Sequence, residues 1–121
     1  WDFLPTAAEL AGAETPLGID GQSIVPVLLG GSQKPHEYLY WEFHEAGFHQ
    51  AVRTGNWKGI RLGPKQPLEL YDLESDPGER NNVAAKHPDV VRRITEIMAS
   101  ARTDAFEWPI LTPEEAKKRA V

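Results

Sequence analysis

The 121-residue sequence contains no cysteine. That absence removes disulfide scaffolds, thiolate zinc sites and cysteine nucleophiles together. No apolar run approaches the roughly 20 residues needed to cross a bilayer, so no membrane partner is expected. Positive charge is also short, with 13 Lys and Arg against 18 Asp and Glu and a net charge of -5. Affinity for a phosphate backbone comes from clustered Lys and Arg, so no nucleic-acid partner is expected either. The chain lacks a Gly-x-Ser-x-Gly elbow, a phosphate-cradling glycine loop and a dinucleotide fingerprint. It opens at Trp1-Asp2-Phe3, with no initiator Met and no export signal, which reads as a cut inside a longer protein.

What is present is ordinary globular composition, 40% hydrophobic and 26% charged, in a length suited to one core. Asp2 is placed to cap a helix over Phe3 to Ala11, with Gly12 suited to a left-handed stop. A turn-rich stretch follows to Gly21, and Ser23 to Leu29 offers about two further helical turns. From Glu37 the pattern changes to aromatic and β-branched runs separated by turn residues. Four strands are expected, over Glu37 to Phe43, Phe48 to Thr54, Trp57 to Leu62 and Leu68 to Leu73. Short connections such as Thr54-Gly55-Asn56 make them a meander of antiparallel hairpins.

His87-Pro88 introduces a helix to about Thr103, in which Val90, Val91, Ile94, Ile97, Met98 and Ala101 form one stripe. Arg92, Arg93, Glu96 and Arg102 fall outside that stripe. Neither a small sheet nor a lone helix is stable by itself, so the stripe should cover one face of the meander. The expectation is an α+β fold: a small antiparallel sheet packed on one long C-terminal helix, with short N-terminal helices. Residues 1–36 form a leading segment, 37–104 the α+β subdomain, and 105–121 a tail that is a short charged helix or frays.

His44-Glu45-Ala46-Gly47-Phe48-His49 invites a zinc reading, but the two His are five residues apart. That is about 140° around a helix and opposite faces of a strand, so no metal is expected here. The alternating acids Asp72, Glu74, Asp76 and Glu79 lack the Gly and bidentate Glu spacing of a calcium loop and suit a solvated turn. Tyr38, Tyr40, Trp41, Phe43, Phe48 and Trp57 could form a sugar-stacking platform, but strand aromatics of a small sheet are expected mainly in its core.

In order along the chain, Asp2-Phe3-Leu4-Pro5-Thr6 with Leu10-Ala11-Gly12, and Asp20-Gly21-Gln22-Ser23 with Pro26, Leu28, Leu29 and Gly30, are followed by Tyr40-Trp41-Glu42-Phe43. Then come Gln50-Ala51-Val52-Arg53 with Trp57-Lys58, and Glu69-Leu70-Tyr71-Asp72-Leu73 with Asp76-Pro77, Glu79 and Asn82. This succession resembles the C-terminal region of the type I sulfatase, or arylsulfatase, family, and the resemblance makes residues 1–36 the end of the catalytic domain and its connecting segment. The resemblance implies a sulfuric ester hydrolase as the full-length protein, using a formylglycine nucleophile made within a Cys/Ser-x-Pro-x-Arg motif and a calcium ion. Both would lie in a missing N-terminal catalytic domain, so no catalytic residue and no cofactor is expected here, and this piece alone should be inactive.

The resemblance further implies a sulfated carbohydrate or aryl sulfate substrate and a periplasmic or secreted location. The role left to this piece is to support the catalytic domain and to line its substrate pocket. The first hairpin tip is the candidate, because it concentrates His44, Glu45 and His49 where a mere turn would suit Gly and Asn, with Gln50 and Arg53 on the next strand. Apolar residues of the leading helices exceed what two short helices can cover, so either self-association of the piece alone or high mobility of this region is expected. The alternatives are a free-standing carbohydrate-binding module and a protein-interaction domain.

Overall fold

The computed structural model describes residues 1–45 and 47–119 and divides the chain into two compact units, Trp1–His36 and Glu37 onward. In the first unit, helix α1 (Phe3–Ala11) ends at Gly12, whose φ of 64° is the left-handed conformation that closes a helix most cheaply on glycine. Asp2 stands at the N-cap position but does not cap α1 with its side chain. Its carboxylate instead accepts the backbone N–H of Gln22 at 2.9 Å and the Nε2–H of His36 at 3.0 Å. The Asp2 carbonyl accepts the Thr6 hydroxyl at 2.6 Å, and Thr6 Oγ1 in turn accepts Ile24 N–H at 3.0 Å. These long-range bonds tie residues 22–24 to α1, which is why the second helix, α2, is only Val25–Leu28 instead of the two turns expected.

In the second unit, β1 (Leu39–Phe43), β2 (His49–Thr54), β3 (Trp57–Arg61) and β4 (Glu69–Asp72) form one antiparallel sheet in the order β1-β2-β3-β4. A turn of 3-10 helix, Ala84–Lys86, leads into α3 (Pro88–Ser100), and α4 (Pro113–Arg119) follows. The α+β architecture is therefore as expected. No helix of the described residues is long and apolar enough to cross a membrane.

Pairing puts Tyr40, Val52, Gly59 and Leu70 in one row across the sheet, and Val52, Leu70, Ile94 and Met98 are the buried centre of the core. Ile94 and Met98, one helical turn apart, bring α3 down on that row. The helix approaches so closely at β3 that a Cβ on residue 59 would lie 2.6 Å from Ile94 Cγ2, which only a glycine avoids. Burying a side chain the size of Ile94 contributes about 2 kcal/mol, so this contact anchors α3.

The acidic turn after β4 is held by its own hydrogen bonds and by links to the sheet. Asp72 accepts Glu74 N–H at 3.1 Å and the Ser75 hydroxyl at 2.7 Å, Asp76 accepts Arg80 and Asn81 N–H, and Glu79 pairs with Lys58 at 2.5 Å. Asn82 Oδ1 accepts Leu70 N–H at 3.1 Å and Ala84 N–H at 3.0 Å, joining the turn to the core strand. Helix α4 starts with a reciprocal cap: Glu115 accepts Thr112 N–H at 2.8 Å, and Thr112 Oγ1 accepts Glu115 N–H at 3.3 Å.

Candidate functional site

The alternation of a strand sends Tyr40, Glu42 and His44 toward one side of β1 and its continuation, and Trp41 and Phe43 toward the other. Glu42 is the centre of the first group. Its Oε1 accepts the Tyr40 hydroxyl at 2.5 Å and lies 3.1 Å from Arg102 Nε, while its Oε2 accepts His44 Nε2–H at 3.0 Å. Because a carboxylate only accepts, it is Nε2 of His44 that donates to Glu42. Gln50, opposite Glu42 in the sheet, donates from Nε2 to Tyr40 Oη at 2.8 Å. Burial first, and then the bond to Glu42, push the Tyr40 hydroxyl up to about 12.

Arg102 comes from beyond the end of α3. Its side chain is only 7% exposed, its Nη2 donates to the Trp108 carbonyl at 2.8 Å, and its Nη1 pairs with Asp104. The guanidinium carbon stands 5.4 Å over the Phe48 ring. Nε faces Glu42 at ion-pair distance but is not aligned for a hydrogen bond, so the link to Glu42 is electrostatic. Here the expectation of a helix running to about Thr103, with Arg102 outside its apolar stripe, is corrected. The helix stops at Ser100, and the residue turns inward to Glu42.

These groups frame an open cleft of about 440 Å³ lined by Glu42, Phe43, His44, Glu45, Arg102 and Trp108, among others. The His44 ring lies 5.2 Å from Phe48 and 5.5 Å from Trp108. Of the five residues singled out at the hairpin, His44 and Glu45 line the cleft, and Gln50 is buried behind it as a prop for Tyr40. His49 and Arg53 are not brought to it. They alternate to the opposite face of the sheet, where His49 sits 6.2 Å from Phe43 and Arg53 shares a recess with Trp41 and Lys58.

Trp41 and Phe43 on that face are 38% and 50% exposed, so the expectation that the aromatics are mainly core holds for Phe48 and in part for Tyr38, Tyr40 and Trp57, but not for these two. Sequence reasoning missed Tyr40, Glu42, Arg102 and Trp108 as site residues. The two-residue spacing of Tyr40, Glu42 and His44 was a usable signal. Among the described residues, no group of three or more His, Cys, Asp or Glu is placed to hold a metal ion.

Residues 1–104 match the family model described as N-sulphoglucosamine sulphohydrolase, C-terminal. The chain belongs to this sulfatase C-terminal family. An N-acetylglucosamine-6-O-sulfatase of Bacteroides thetaiotaomicron is 35% identical to this sulfatase C-terminal region across 94% of the chain and 22% of the relative. Human arylsulfatase A is 32% identical across 86% of the chain and 26% of the relative. A solved 2-O GAG sulfatase superposes with a TM-score of 0.72 at 33% identity, covering 83% of this chain and 23% of that one. The chain thus spans about a fifth of the length of the curated relatives it matches.

Proposed function

We propose that this sulfatase C-terminal region belongs to a longer enzyme that hydrolyses sulfate esters of carbohydrates. It supports the catalytic domain, and its first hairpin lines the substrate pocket. The observation that carries the reading is the family match over residues 1–104, together with relatives whose names are sulfatases. The part-buried polar network behind His44 supports the pocket role, since the hydrogen bonds of Tyr40 and His44 to Glu42 orient the groups they hold. The same reading extends to an exported enzyme, periplasmic or secreted.

The formylglycine and the calcium ion implied by the family do not fit the residues present. There is no cysteine. Ser75-Asp76-Pro77-Gly78-Glu79 carries Ser-x-Pro, but it has Glu where the motif needs Arg, and the Ser75 hydroxyl is bound to Asp72 in a turn. Both groups are therefore proposed for a preceding domain, and this chain alone should turn over no aryl sulfate. The test is the parent gene upstream of Trp1. A Cys/Ser-x-Pro-x-Arg stretch there, with sulfate release from a 6-O-sulfated sugar by the whole protein and none by the 121 residues, is the expected result. Absence of that stretch sinks the assignment.

A further inference from the structure

We propose that the cleft lined by Glu42, His44, Glu45 and Trp108 is a subsite for one neutral pyranose ring of a glycan chain, next to the sulfated position and not at it. This rests on the reading of the hairpin as pocket-lining. A cleft of about 440 Å³ is within the range of small-molecule sites and admits a single sugar ring with room for its substituents.

Its walls are suited to the C–H face of a sugar. Trp108, 60% exposed, lines the concavity with its ring beside His44. The axial C–H bonds of a pyranose are weakly positive and apolar, and they pack on the electron-rich face of an aromatic ring. The wall is built in advance. Arg102, itself buried, donates to the Trp108 carbonyl while facing Glu42, and Glu42 fixes His44. The same three side chains therefore set both sides of the cleft.

Charge decides between a ring and a sulfate. Glu42 and Glu45 both line the cleft, and the one Lys or Arg among the described lining residues, Arg102, has its guanidinium engaged by Glu42, Asp104 and the Trp108 carbonyl. A sulfate entering here would meet carboxylates without an uncommitted cation. Sugar hydroxyls, which donate, suit the exposed Glu45 carboxylate. The occupant is thus a neutral sugar, and the substrate is at least a disaccharide.

The experiment follows the four Trp indole N–H signals of the 121-residue chain by NMR during titration with neutral N,N′-diacetylchitobiose, and separately with inorganic sulfate. A saturable shift of the Trp108 signal is expected with the disaccharide and none with sulfate. Trp108→Ala should weaken binding at least ~10-fold, Trp108→Phe should restore most of it, and Trp41→Ala, on the other sheet face, should leave it unchanged. Trp108 is mostly solvent-exposed, so these variants are expected to fold, and a two-dimensional amide spectrum checks it. No saturable shift, an equal response to sulfate, or loss of binding in Trp41→Ala but not Trp108→Ala overturns the subsite. Binding to this chain does not depend on turnover. A parent gene lacking the nucleophile motif would therefore sink the proposed enzyme and leave the titration standing, whereas a failed titration removes the subsite alone.

Discussion

Gly59 and Ile94 are matched to each other: the strand residue has no side chain because the helix residue occupies the place where its Cβ would be, at 2.6 Å from Ile94 Cγ2. The neighbours cannot give easily, since Ile94 is fully buried and Leu68 closes in from the other side.

Gly59→Ala should therefore destabilise the chain by about 1–3 kcal/mol through overpacking. Ile94→Ala should cost about 2–5 kcal/mol through the cavity it leaves. In the double variant the new methyl enters that cavity, so the two losses should sum to clearly less than their separate values in a urea-denaturation cycle. Simple additivity would show that α3 does not rest on β3 at this point.

The Glu42–Arg102 pair predicts an asymmetry between single and double substitution. Glu42→Gln leaves the buried guanidinium facing a neutral amide and replaces one of the two oxygens that accept from Tyr40 and His44 with a donor NH2. A loss of about 1–3 kcal/mol is expected, less than for a fully buried pair because Glu42 retains some exposure. Arg102→Met together with Glu42→Gln should recover part of that loss. Denaturant midpoints check this, and a double variant weaker than the sum of the singles would refute it.

Alkaline pH should act through two tyrosines. Tyr40, raised by burial and then by Glu42, and Tyr71, raised chiefly by its hydrogen bond to Glu69, both sit at about 12, above the ordinary 10.0. Their folded forms hold the proton more tightly than the unfolded chain does. This contribution to stability is complete below pH 10 and is lost as pH rises through about 12. Ultraviolet titration should show two late-ionising tyrosines, and Glu42→Gln should lower the Tyr40 midpoint only in part because burial remains. Ionisation of both near 10 would contradict the geometry.

Acid should act on the first unit. The Gln22 N–H first, and the His36 hydrogen bond next among the groups that lower it, hold the Asp2 carboxyl below 3.8. A lowered carboxylate contributes stability that is present above its unfolded value and lost as pH falls through its folded one. Exchange of the Gln22 amide should therefore quicken below pH ~4. Asp2→Asn should make it fast at every pH. If that amide exchanges alike in both proteins, Asp2 does not tether the segment.

The periodic parts of the molecule were legible because periodicity is written into each residue's own neighbourhood. Alternation from Tyr38 to Leu73 marked the meander, and the three- and four-residue spacing of Val90, Val91, Ile94, Ile97 and Met98 marked α3. The site was legible only in part. His44 and Glu45 stood out as unusual turn residues, but His49 and Arg53 went to the far face by the same alternation that defines β2. Asp2 matched a cap by type, yet its partners lie 20 and 34 residues away. Arg102 fell outside the apolar stripe, and nothing local announces that Glu42, in another element, will face it. Long-range polar pairing leaves no period in the sequence, and the candidate site is made mostly of such pairs.

The last expectation concerns the first unit. Phe3 and Leu29 are 84% and 81% exposed, and Leu10, Val27 and Leu28 are also largely open to solvent. Within α1 the buried residues are Pro5 and Thr6, and within α2 the buried residue is Val25, so the larger apolar side chains contribute little to burial here. Exposed apolar surface is worth roughly 25 cal/mol per Å² when removed from water, a steady drive toward any partner face. The 121-residue chain on its own should therefore self-associate through residues 3–29. Light scattering should report a mass above 13.5 kDa that grows with concentration. Phe3→Ser with Leu29→Ser, two exposed substitutions, should return it toward monomer without shifting the unfolding midpoint of the sheet unit. A chain that stays monomeric at millimolar concentration, with residues 3–29 as protected from hydrogen exchange as Val90 to Ala101, would show that these helices satisfy their packing within the chain.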